Sequence, residues 1–144
     1  MIYTSLTKKA LKLCFEAHKE QVDKTGLPYV FHPFHLAEEM DDEVSTVCAL
    51  LHDVVEDTDY TLDDLSVMGF PPEVIEVLTL LTHVDDVPYM DYVREIAGNE
   101  TAKKVKIADL RHNSDLSRLD IVDEWTEKRN KKYSEALGIL GAKQ

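Results

Sequence analysis

Apolar residues recur along this chain at three- and four-residue intervals almost throughout, the signature of helices with one buried face. Leu11, Cys14, Phe15, His18 and Val22 follow i, i+3, i+4, i+7, i+11 and predict a first helix with one buried stripe. The run Lys24-Thr-Gly-Leu-Pro28 breaks that helix. Pro33, as a first-turn residue, opens a short second helix running to Met40. A third is predicted from Glu43 to Asp57. Thr61-x-x-Asp64 has the form of a capping box with Asp in the Glu position, and Gly69 closes the short helix it starts. Pro71 and Pro72 start the next, with Val74, Val77, Leu78 and Leu81 facing inward. Further helices are expected over 88–97, 101–115 and 122–140, the last touching the core through Tyr133, Leu137 and Leu140. Runs such as Pro28 to Phe31 are too short to build a sheet. The fold class is all-α, a compact bundle of six to eight helices. Residues 1–144 carry no repeat, low-complexity tract or Gly/Ser linker, so one domain around one core is expected.

Composition narrows the class. Apolar residues make up 44% of the chain, which excludes a disordered segment. No apolar run approaches the roughly 18–20 residues of a membrane span. The N-terminal stretch carries charges at helical intervals and reads as the first helix, not as a signal peptide. Cys14 and Cys48 both sit among apolar residues and read as reduced core thiols, which implies the cytoplasm by default. The formal net charge is −12. Such a surface repels nucleic acid and anionic lipid. An anionic small substrate would need a metal ion and local Lys or Arg side chains to offset the field.

Candidate chemistry lies in three segments. Val47-Cys-Ala-Leu-Leu-His52-Asp53-Val-Val-Glu56-Asp57 begins as a core helix and then places four ionisable residues within two turns. His52 and Glu56 are i, i+4 neighbours, as are Asp53 and Asp57. Buried carboxylates repel each other unless a cation offsets them, and imidazole with carboxylate suits a divalent metal. The alternative is a helix end emerging into solvent. Gly26-Leu-Pro-Tyr29-Val-Phe-His32-Pro33 places His32 in a turn before a Pro-started helix, where neutral imidazole could reach the same metal. Lys106, Asp109 and Asn113 obey i, i+3, i+7 and form one polar stripe beside an apolar one of Val105, Ala108 and Leu116. Read alone, that segment is an ordinary amphipathic helix.

Jointly, His32, then His52-Asp53, then the distant Asp109 resemble the H…HD…D arrangement of the HD-domain superfamily. Lys24-Thr-Gly-Leu-Pro-Tyr-Val-Phe-His32-Pro33 resembles its K-x-G-x-P-Y-x-x-H-P. His52-Asp-Val-Val-Glu-Asp-Thr58 resembles H-D-x-x-E-D-T, and Val105-Lys106-Ile-Ala-Asp109 with Asn113 resembles V-K-x-A-D-x-x-x-N. Over about residues 8–120 these motifs resemble the hydrolase domain of RelA/SpoT-type enzymes in its single-domain form, the small alarmone hydrolases. The resemblance implies an HD-domain helical bundle holding one divalent metal, Mn²⁺, through His32, His52, Asp53 and Asp109. It implies a nucleotide substrate, guanosine 3′,5′-bis(diphosphate), cleaved to GDP or GTP and pyrophosphate. Glu56 would be the main proton-transfer group and Asp57 its partner. Lys24 and Lys106 would balance phosphate charge, Asn113 would contact the nucleotide, and Tyr29 would pack or wall the site.

Two departures bear on the substrate. Many relatives carry a basic residue before the first-motif Lys, where it can stack on guanine. Asp23 stands there, and it is expected to repel a polyphosphate, so that Asp23→Arg should improve affinity. After Asn113, Ser114-Asp115 replace the Met-Arg of many relatives; Arg111 and Arg118 are candidates to compensate. Other readings are a phosphomonoesterase, a nucleotide, such as a dinucleotide cofactor with a 2′-phosphate, taken in place of the alarmone, a nucleotide sensor without turnover, and a di-iron oxygenase. The last needs further His ligands. His18, His35, His83 and His112 form no second-site motif and read as surface or packing residues.

Overall fold

Helix boundaries follow local capping chemistry. In the computed structural model, which describes residues 1–142, the first helix, α1 (Ser5–His18), starts at a capping box between Thr4 and Thr7. The helix α2 (Phe31–Glu38) carries Pro33 in its first turn, where a missing N–H costs nothing. The helix α3 (Glu43–Leu51) is capped by the Asp42 carboxylate, which accepts from Ser45 N–H at 2.8 Å. Asp42 caps α3 from an exposed acidic loop, in which Asp41 pairs with Lys104.

The predicted long third helix is broken at its chemical end. After Leu51 the chain makes a turn at His52-Asp53 and resumes as a single helical turn, α4 (Val54–Asp57). The cause is local. His52 Nδ1 bonds the Ala49 carbonyl at 2.7 Å and competes for an acceptor the backbone would otherwise use. The helix α5 (Leu62–Val67) starts at the expected Thr61/Asp64 capping box, and Gly69, at φ +96°, ends that segment. The helices α6 (Pro72–Leu81), α7 (Tyr89–Ile96), α8 (Glu100–Ser114) and α9 (Glu124–Ile139) complete the fold, with a 3-10 turn at Leu116–Arg118 before α9.

Eight helices of six residues or more are present among the described residues, which contain no strand; Val22 and Pro28 form one isolated antiparallel bridge. None of these helices is long and apolar enough to cross a membrane. The centre of the bundle is α3, buried along nearly its whole length and packed against α1, α2, α6 and α8. Val74, Val77, Leu78 and Leu81 of α6 face this core, as do Leu137 and Leu140 near the C-terminus, with Tyr133 packed against it. Both cysteines are buried and unpaired.

The predicted stripe on α1 is rotated. The buried face carries Thr7, Ala10, Leu13, Cys14 and His18, whereas Phe15 and Val22 are 55% and 65% exposed. Leu116 also lies outside the apolar stripe of α8, in the exposed turn that follows it.

Candidate metal centre

Three buried side chains meet where α2, the end of α3 and α8 come together. One ligand atom each from His32, His52 and Asp109 lies within 4.8 Å of the other two. His32 Nε2 is 2.9 Å from Asp109 Oδ1, and His52 Nε2 is 3.5 Å from the same oxygen. Asp53, at the turn that breaks α3, brings Oδ2 to 3.0 Å from His52 Nε2 but lies outside the mutual set.

His52 shows what this cluster demands. A carbonyl only accepts, so Nδ1 must carry the proton it donates to Ala49. Nε2 then points at two carboxylates, yet it makes no hydrogen bond there and is fully buried. Burial alone would lower the affinity of this ring for a proton. Asp53 and Asp109 outweigh it and hold the His52 pKa well above its ordinary value. The site calls for positive charge at that nitrogen. An unprotonated Nε2 beside two carboxylates is the donor set that suits a divalent cation, so the residues present fit a metal.

Each carboxylate is held from behind. Asp109 Oδ2 accepts from Lys106 Nζ at 3.0 Å, and its Oδ1 accepts from Asn113 Nδ2 at 2.9 Å. The polar stripe of α8 thus converges on one carboxylate. Burial would raise the Asp109 pKa, but Lys106 and the two histidines drive it well below the usual range. The Tyr29 hydroxyl donates to Asp53 Oδ2, a closer role than site wall. His32 is fixed on its far side by His112, with the two Nδ1 atoms 2.6 Å apart.

Glu56 and Asp57 lie on the exposed side of α4, next to the cluster. The His83 backbone N–H donates to Glu56, but burial and Asp53 still raise its pKa. Burial, Asp53 and Glu56 push Asp57 up to about 6. Two carboxylates of raised proton affinity therefore stand one turn from Asp53.

Beside His32 a cleft of about 250 Å³ is lined by the cations of Lys24, Arg118 and Arg129, by the carboxylates of Asp23 and Asp115, and by Tyr29, His32 and Asn113. Arg118 donates to the His112 carbonyl at 2.7 Å and Arg129 to the Asn113 carbonyl at 3.0 Å. Both cations thereby cap the carbonyl end of α8, where the helix dipole favours positive charge. The Lys24 ammonium sits 3.1 Å from the centre of the Trp125 ring.

Asp23, which lines this cleft, also has a structural task. Its Oδ1 accepts from Thr25 N–H, Thr25 hydroxyl and Leu27 N–H, at 2.9, 2.8 and 3.1 Å. Its Oδ2 lies 4.0 Å from Arg118. Asp23 holds the loop that presents Lys24, and its charge is offset. Arg118, a candidate from the sequence, lies in the cleft, whereas Arg129 and the contacts of Tyr29 and His112 were not foreseen. For His112 a signal existed, since it is three residues after Asp109 on the same helix; for Arg129, on the distant α9, none did.

No protein-family model matches the chain. Over 137 residues it is 33% identical to the guanosine-3′,5′-bis(diphosphate) 3′-pyrophosphohydrolase MESH1 of Mus musculus, an alignment covering 84% of this chain and 75% of that protein. The chain belongs to the MESH1 family of pyrophosphohydrolases. The MESH1 of Homo sapiens is 34% identical over 82% of the chain and 73% of its own length. A probable GTP pyrophosphokinase of Mycobacterium leprae is 31% identical, and the chain spans only 18% of that longer protein. A solved structure of a metazoan SpoT ortholog that hydrolyses ppGpp superposes with a TM-score of 0.73 at 25% identity, covering 97% of this chain and 85% of that one. The all-α HD-domain fold is therefore shared along nearly the whole chain. A His/Asp cluster of this kind, in a MESH1-type fold, suits a divalent metal.

Proposed function

We propose that this protein hydrolyses guanosine 3′,5′-bis(diphosphate) at its 3′ position, releasing pyrophosphate, in a Mn²⁺-dependent reaction in the cytoplasm. The observation that carries this reading is the buried Nε2 of His52, unpartnered between two carboxylates, in a chain of the MESH1 family. His32, His52, Asp53 and Asp109 would hold the ion. When bound, it supplies Lewis acidity and lowers the pKa of water.

The chain's own residues supply the rest. Water oxygen bonds to the phosphorus attached to O3′, the P–O3′ bond breaks, and O3′ takes a proton. Guanosine 5′-diphosphate and pyrophosphate remain. Glu56 and Asp57 hold and move the protons, a role supported by their raised proton affinity beside Asp53. Lys106 and Asn113 orient Asp109 first of all, and from there they face the substrate. Lys24, Arg118 and Arg129 outnumber Asp23 and Asp115 in the lining of the adjoining cleft, which leaves a positive balance for a polyphosphate on a chain of net charge −12.

The test is product identity. Mn²⁺-loaded protein given the guanosine tetraphosphate should release one pyrophosphate per GDP. Orthophosphate as the product would favour a phosphomonoesterase instead, and tight binding without any product would make the protein a sensor.

A further inference from the structure

His112 lies on α8, one turn beyond Asp109, and its ring meets His32 in an unusual way. The two ring planes are 8° apart, and the two Nδ1 atoms are 2.6 Å apart. Parallel rings in contact at that distance are not stacked face to face, because nonbonded heavy atoms sit about 3.5–4.0 Å apart. The nitrogens meet edge to edge, along their in-plane lone pairs. Two bare nitrogens would repel there, and two protonated ones would clash. One proton lies between them, and two neutral rings, the state a metal ligand requires, must therefore hold opposite tautomers.

The consequence reaches the other side of His32. If His112 donates, His32 Nδ1 is the acceptor and His32 Nε2 keeps a proton, which it gives to Asp109 Oδ1 at 2.9 Å. If His32 donates, its Nε2 is a bare lone pair facing His52 and Asp109. Only the second state can bind a cation. His35 packs on the outer face of His112, with ring centroids 4.1 Å apart and planes 22° apart, and holds that ring in place.

We propose that His112 is a positioning residue for the metal centre: its Nδ1 accepts the His32 Nδ1 proton and so frees His32 Nε2 to ligate. The inference rests on the metal-dependent reading above. The proton count balances within the pair. His32 exchanges Nε2–H for Nδ1–H, and His112 exchanges Nδ1–H for Nε2–H. Partners of this kind fix ligand orientation, and losing one typically costs about 10–100-fold in metal affinity.

Two variants and one spectrum test it. His112→Phe keeps a flat ring without an acceptor, whereas His112→Asn restores an oxygen close to the Nδ1 position. Mn²⁺ titration calorimetry should show about 10–100-fold weaker binding for His112→Phe and recovery towards wild type for His112→Asn. Equal affinity in wild type and His112→Phe overturns the proposal while leaving the metal site standing. No Mn²⁺ binding by wild type defeats the metal reading itself. Should His112→Phe fail to fold, wild type still decides. In ¹⁵N-histidine spectra of the protein loaded with diamagnetic Zn²⁺, His32 Nδ1 should be protonated and coupled through the hydrogen bond to a bare His112 Nδ1. A protonated His112 Nδ1, or no coupling, overturns the proposal.

Discussion

Glu56 and Asp57, outside the converging cluster of His32, His52 and Asp109, allow the proposed proton transfer to be tested apart from metal binding. Glu56→Gln should retain metal and lower kcat by about 10²-fold or more, the scale of a lost general acid or base. Unchanged kcat would remove Glu56 from proton transfer. Asp57 gives a signed prediction. Its carboxyl is held up to about 6 by burial, Asp53 and Glu56. A cation favours the charged form, so adding Mg²⁺ to the metal-free protein should pull the value down. A carboxyl ¹³C titration that reads the same value with and without the ion would place Asp57 away from the metal. Asp23 reverses its expected behaviour. Because it caps the Lys24 loop through three hydrogen bonds, Asp23→Arg should raise KM for the guanosine tetraphosphate; a lower KM would restore the view that Asp23 repels substrate.

At the scale of elements, α3 carries the fold and delivers the chemistry. Leu50, in its last turn, is fully buried. Leu50→Ala should cost about 2–5 kcal/mol in denaturant unfolding; a loss well below that range would mean the bundle can close around the gap. Much of the element pattern was legible from spacing. The Thr61/Asp64 box, the Pro72 start and the inward face of α6 need only local rules. The break after Leu51 was not legible, because it depends on the His52 side chain taking a backbone acceptor. The α1 stripe was misassigned because Phe15 outweighs Ala10 in hydrophobicity. Cys14 and His18 of the predicted stripe are buried, and Thr7, Ala10 and Leu13 join them in place of Phe15.

Across the whole molecule, the net charge of −12 describes the surface and not the site. Lys106 is paired within the cluster, while Lys24, Arg118 and Arg129 line the cleft beside it. The proposed ligands His32, His52, Asp53 and Asp109 stand in motifs, and the structure brings His32, His52 and Asp109 together with Asp53 3.0 Å from His52. Arg129 was not legible, because only the packing of α9 against α8 brings it to the end of that helix. We propose this cluster as a metal centre that cleaves the 3′-pyrophosphate. One assay addresses it most directly: metal-stripped wild type and His52→Ala, each given the guanosine tetraphosphate with and without Mn²⁺, with pyrophosphate as the readout. Release by wild type with Mn²⁺ alone is the predicted result. Equal release without metal, or by His52→Ala, would contradict it.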